Sequence, residues 1–140
     1  MLSPQKREED MTTRVLFLAA LLSGCDGGAV TPGVLSLCAA GTPHDPVTID
    51  DASISGDQLT VSLSFGGGCE AHDLGLCWDG SIAESSPPQV FLTVAHDANN
   101  DLCEAYLSEQ LIVDISALQG AGSMVTVNLD GWEEALTYTW

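Results

Sequence analysis

The chain has 140 residues with 20 Asp and Glu against 3 Lys and Arg, a formal net charge of −17. All three basic residues (Lys6, Arg7, Arg14) lie among the first 24, so the remainder has no Lys or Arg to contact nucleic-acid phosphates, clamp an oxyanion or form a Schiff base. An apolar fraction of 45% is too high for a disordered chain, and the length suits one domain.

The first element in chain order is a leader. Arg14 is followed by an apolar run from Val15 to Leu22, then by Ser23, Gly24 and Cys25. A run of about eight apolar residues fits a signal-peptide core and falls well short of the roughly 20 that span a bilayer as a helix. With Leu22-Ser23-Gly24-Cys25 at its end, the segment resembles the lipobox of a bacterial lipoprotein precursor. The resemblance implies cleavage before Cys25 and lipidation of that cysteine, through a diacylglyceryl thioether and an acylated amino group. Each buried methylene contributes about 0.8 kcal/mol, so two or three acyl chains (palmitate or similar) hold a protein firmly. Residues 1–24 are then a signal peptide, with Met1 or Met11 as its start. The expected address is the bacterial cell envelope, at the inner or outer membrane, with the domain in the periplasm or at the cell surface. The competing reading is an ordinary secreted protein in which Cys25 is a spare thiol.

Residues 25–37 comprise the lipidated cysteine and a Gly-rich tether, although the valine and leucines near its end suit a start of the fold. The domain is assigned to residues 38–140. From Val47 the apolar residues recur with period two, which predicts a strand to Ser55, a Gly56-Asp57 turn and a strand through Leu59, Val61, Leu63 and Phe65, paired as a hairpin. Gly66-Gly67-Gly68 marks a bulge or a close backbone approach. A strand is predicted from Glu70 to Trp78, a loop over residues 79–88 around Pro87-Pro88, and a strand from Val90 to His96. Asp97-Ala98-Asn99-Asn100-Asp101 is a polar turn that predicts a hairpin with Leu102 to Leu107. A further strand through Leu111, Val113 and Ile115 precedes a short helical turn. Val125, Val127 and Leu129 then reach Asp130-Gly131, a hairpin signal, and Leu136, Tyr138 and Trp140 close the chain. Seven to eight short strands without a long amphipathic helix predict an all-β fold, an antiparallel β-sandwich of immunoglobulin-like type, with a small β-barrel as the alternative.

Beyond Cys25 the chain has Cys38, Cys69, Cys77 and Cys103, an even number that reads as two disulfides in an exported protein. A continuous strand from Glu70 to Trp78 separates Cys69 from Cys77 by about 25 Å, too far for a bridge. Two connectivities remain: Cys38–Cys77 with Cys69–Cys103, or Cys38–Cys69 with Cys77–Cys103. The stretch GGGCEAHDLGLCWDG with HDANNDLC downstream is similar to a group of bacterial envelope lipoproteins that carry Gly-Gly-Cys-x-x-His and a later His-Asp segment ending in Cys. That resemblance implies a Cys69–Cys103 pair and implies no activity.

Three constellations could carry chemistry. Cys69, His72, His96 and Cys103 have zinc-ligand residue types in a poor order, and disulfides compete for the sulfurs. Asp97, Asn99 and Asp101 begin like a calcium loop, yet the glycine and glutamate an EF-hand needs are replaced by Leu102 and Ser108. His72 or His96 could pair with a serine or carboxylate, but no nucleophile elbow is present. Trp78, Trp132 and Trp140 could stack on a sugar, or fill core and edge. The sequence thus favours a non-enzymatic, lipid-anchored, acidic structural or interaction module with no catalytic residue and no resident cofactor. Its expected partners are the membrane, through Cys25, and a cationic or basic surface, not nucleic acid. A calcium- or other cation-binding accessory lipoprotein is the first alternative, and a hydrolase with an unrecognised site the second.

Overall fold

The structure, a computed structural model, describes residues 32–140. The expected signal peptide, the lipidation site at Cys25 and the first part of the tether lie outside the described residues.

Two sheets pack face to face. The first has the order β1-β7-β4-β3, from Gly33–Val34, Ala105–Asp114, Gln58–Gly67 and Thr48–Ser55. The second has the order β2-β5-β6-β8-β9, from Ser36–Leu37, Asp73–Trp78, Gln89–Asp97, Met124–Leu129 and Leu136–Thr139. Neither sheet closes on itself, so the all-β sandwich forms and the barrel does not. Among the described residues no helix is long and apolar enough to cross a membrane; the one helical element is the 3-10 turn Ser116–Leu118.

Alternation builds this core. Leu59, Val61, Leu63 and Phe65 of β4 are all buried, and they face Leu76, Val90, Leu92, Val94, Val125 and Val127 of the other sheet. Each such side chain contributes about 1.5–3 kcal/mol on burial. The β3–β4 hairpin pairs from Thr48↔Ser64 to Ser55↔Gln58 with one register shift at Ile49/Asp51, turning at Gly56 with φ of 57°. At the opposite side of the sandwich the Tyr138 hydroxyl donates to Asp57 Oδ1 (2.7 Å) and accepts from Gln119 Nε2 (2.7 Å), which ties the last strand to the first hairpin. Burial there pushes the Tyr138 phenol above its ordinary pKa.

Four sequence expectations are corrected. The sheets are mixed, not purely antiparallel, because β1–β7, β2–β5 and β6–β8 pair in parallel. The polar turn after β6 does not close a hairpin: β6 and β7 belong to different sheets, and residues 98–104 carry the chain across. The segments expected as separate strands around Leu107 and Leu111 are one ten-residue strand, β7, paired along its length with β4. Residues 33–37, assigned to the tether, pair with both sheets, and Leu35 between them is buried. The β8–β9 pair forms as expected, with Gly131 at φ of 84° in a connection longer than a two-residue turn.

Candidate functional site

The end of the sandwich where β4 and β6 finish and β7 begins gathers most of the residues singled out in the sequence. One disulfide lies at this end, and a second lies four residues further along β5. Cys69–Cys103 joins the segment after β4 to the crossover before β7, with Cα atoms 5.8 Å apart, and Cys38–Cys77 joins the N-terminal segment to β5, with Cα atoms 4.9 Å apart. This is the connectivity that the envelope-lipoprotein resemblance implied. The expected strand from Glu70 begins only at Asp73, which leaves Cys69 to His72 as a loop over the end of the core.

Asp101 is the centre of that loop. Its Oδ2 accepts from the backbone N–H of Gly68 (2.8 Å), Cys69 (2.9 Å) and Glu70 (3.0 Å), and its Oδ1 from the N–H of Cys103 (2.9 Å). His72 Nε2 also lies 3.1 Å from Oδ2. The N–H groups of Glu70 and Cys103, foremost among these donors, hold the Asp101 carboxyl well below the usual carboxylate range. The carboxylate is therefore ionised, and its side chain is closed off from solvent.

The histidines continue the chain of hydrogen bonds inward. His72 Nδ1 meets His96 Nε2 at 2.8 Å, and His96 Nδ1 meets the carbonyl oxygens of Asp45 and Pro46, both at 3.1 Å. A carbonyl only accepts, so His96 Nδ1 bears a proton. A single ring proton links His72 Nδ1 and His96 Nε2, so the chain of contacts runs from Asp101 through both imidazoles to the Asp45 and Pro46 carbonyls. The Phe65 ring packs against both imidazoles, its centroid 4.8 Å from each, stacked on His72 and tilted against His96.

The triple glycine makes room for this. A Cβ at Gly67 would run into the His72 imidazole and lie 2.9 Å from Asp101 Oδ2, and Gly68 sits at φ of 118°, where only glycine is comfortable. The sequence signal of a close backbone approach is met at this point. Asp45, Pro46 and Phe65 were not singled out in the sequence as parts of the cluster. Asp45 and Pro46 contribute through backbone carbonyls, which leave no trace in residue type.

The other candidate constellations come apart. The sulfurs of Cys69 and Cys103 are bonded to each other and offer no thiolate, so the zinc arrangement with His72 and His96 does not form, although Asp101 lies close to both sulfurs. Of the calcium-loop residues, Asp97 Oδ1 accepts from the Asn99 N–H (2.9 Å), Asn99 Nδ2 donates to Ala71 O (2.7 Å) and Asp73 Oδ2 (3.2 Å), and Asp101 points into the histidine chain. Their side-chain oxygens do not converge. Asn99 and Asn100 adopt positive φ, as turn asparagines do. Among the described residues no hydroxyl hydrogen-bonds either imidazole. Trp78 and Trp140 lie at opposite sides of the five-stranded sheet, and Trp132 packs on the core. A groove of about 450 Å3 opens beside His96 and Asp101, lined also by Asp45, Asp97 and Glu104, and a larger one of about 570 Å3 is lined by His44, Asp45, Asp79 and Asp130.

No protein-family model and no curated protein sequence matches the chain. Solved structures share its fold. A NigD-like immunity protein from Bacteroides caccae superposes with a TM-score of 0.59 at 18% identity, over 78% of this chain and 64% of that one. A putative toxin-related protein from Parabacteroides distasonis gives 0.52 at 18% identity, over 78% and 61%. A Bacteroides vulgatus protein of unknown function gives 0.55 at 14% identity, over 78% and 56%. The chain thus spans less than two thirds of each of these solved chains, and at such identities the likeness establishes the fold alone.

Proposed function

We propose that this chain is a lipid-anchored protein of the bacterial envelope that acts by binding and not by catalysis, an acidic interaction module for a cationic partner. The observation that carries this reading is the separation of charge along the chain. Every Lys and Arg precedes Cys25, while 17 acidic residues follow it. A domain so composed attracts basic surfaces and repels nucleic acid and acidic proteins. The histidine–carboxylate chain supports a non-enzymatic role, since its polar atoms are spent on one another. The similar solved chains, one an immunity protein and another toxin-related, fit a protein that works by association.

Intact mass of the detergent-extracted native protein tests the anchor. The product is expected to begin at Cys25 with diacylglyceryl and acyl mass, and Cys25→Ala is expected to release it into the soluble fraction. A product that begins with methionine and dissolves without detergent overturns this half. Binding of polylysine to the purified protein, weakened by salt, tests the other half, and no binding at low salt overturns it.

A further inference from the structure

We propose that the open edge of β7, from Ala105 to Ile112, is the docking surface, and that it accepts an extended basic segment of a partner protein as an added strand. This rests on the binding role proposed above and gives it a place. One side of β7 is paired with β4 throughout, from Gly67↔Ala105 to Gln58↔Asp114. On its other side β1 reaches only Val113 and Asp114. Among the described residues the stretch Ala105 to Ile112 therefore has no neighbouring strand on that side, and Tyr106 there is 77% exposed.

Sheet edges are ordinarily blunted by charged side chains, proline, a bulge, short length or a covering segment, since unpaired N–H and C=O groups invite another strand. The edge at β3 has such a device, a register shift at Ile49/Asp51 beside two aspartates. The last strand of the other sheet, β9, has four residues. The β7 stretch AYLSEQLI has no lysine, no proline and no register shift in its pairing with β4, and its one charge is Glu109. Among the described residues it is the eight-residue edge without a register shift, a site for β-strand addition.

The register names the partner's chemistry. Leu107, Glu109 and Leu111 pair with Phe65, Leu63 and Val61, so all three lie on the sheet face that carries the core. Glu109 is nevertheless exposed and the two leucines only half-buried, so the opposing sheet leaves this strip uncovered. A strand added beside β7 sets its own alternate side chains against Leu107, Glu109 and Leu111. The complementary pattern is apolar, basic, apolar at every second residue, and it reads the same in either strand direction. A second copy paired antiparallel about Glu109 would set the two Glu109 side chains opposite one another, and like charges across a strand pair are unfavourable. The charge therefore selects a basic partner.

The probe is a synthetic peptide Thr-Val-Thr-Lys-Thr-Val-Thr, with amide hydrogen exchange as readout. Bound peptide is expected to slow exchange at least tenfold within Ala105 to Ile112 and nowhere else. Replacing its lysine by glutamate is expected to weaken binding at least tenfold, and Glu109→Lys to reverse that preference. Binding with protection elsewhere overturns the edge while the acidic binding role stands. Failure of both this peptide and polylysine overturns the two together. Dimerisation with protection of β7 in the absence of peptide overturns the basic partner in favour of a second copy.

Discussion

At the scale of single residues, one glycine and one carboxylate decide whether the His72–His96 pair can exist. Gly67 has no side chain because the His72 ring occupies the place of its Cβ, and the ring is held there by Asp101 and His96. Gly67→Ala is expected to displace the imidazole and cost about 1–3 kcal/mol, measured by urea unfolding, whereas Gly66→Ala, with open space at its Cβ, is expected to change stability little. Asp101 gives a pH signature. Its folded pKa is depressed by the Glu70 and Cys103 amides, so the unfolded chain takes up the proton first as acid is added. The stability it contributes is present above the unfolded carboxyl value of about 4 and is lost as pH falls from there toward the lower folded value. Asp101→Asn is expected to lower the melting temperature at pH 7 and to flatten the acid limb of the stability curve. An equally steep acid limb in the variant would assign that limb to other carboxylates. Asp79 and Asp114 are also depressed, each by hydrogen bonds from a serine two residues on, and are the controls for such local effects.

At the scale of elements, the two disulfides do different work from the strands. Cys69–Cys103 closes 34 residues of sequence separation across a non-hairpin crossover between the sheets. Loop-closure entropy gives such a bridge about 3–4 kcal/mol. The paired change Cys69→Ser with Cys103→Ser is expected to lose about that much in chemical denaturation, and a loss under about 1 kcal/mol would mean the Asp101 amide cage holds the loop unaided. The same elements explain what was legible in the sequence. The β3–β4 hairpin announced itself because both strands have one buried face and a glycine at positive φ between them. Ser108-Glu109-Gln110 hid the middle of β7, since a strip left uncovered by the opposing sheet needs no apolar residues, and one strand read as two. Asn99 and Asn100 signalled a tight turn correctly, but a turn does not say which sheet the next strand joins. The parallel β6–β8 pairing is a long-range choice with no local signature. His72, His96 and Asp101 were each visible as candidates, yet Asp101 was grouped with Asp97 and Asn99 because spacing shows neighbours in sequence and not the 29 residues spanned by its bond to His72.

At the scale of the whole molecule, the charge sets the response to salt. In most proteins added salt weakens ion pairs and relieves repulsion at once, and the sign of the net effect depends on their balance. Here the balance is one-sided, because residues 32–140 contain no Lys or Arg to pair with their acidic groups. The one histidine–carboxylate contact found among the described residues is His72–Asp101, with side chains 2% and 0% exposed, where screening by mobile ions is weak. Salt therefore acts almost entirely on repulsion among surface carboxylates, which favours expansion of the compact state. Raising NaCl shortens the screening length from about 30 Å at 0.01 M to about 8 Å at 0.15 M. The melting temperature at pH 7 is expected to rise over that range by about 4 °C, the equivalent of about 1 kcal/mol. Most of the rise should come below about 0.3 M, because screening is by then complete over the spacing of surface charges; a rise that instead grows steadily beyond about 1 M reports surface exclusion of salt and not charge. A flat or falling curve at low salt would mean that bound cations already neutralise the acidic surface, and the polylysine binding proposed above would then have to displace them.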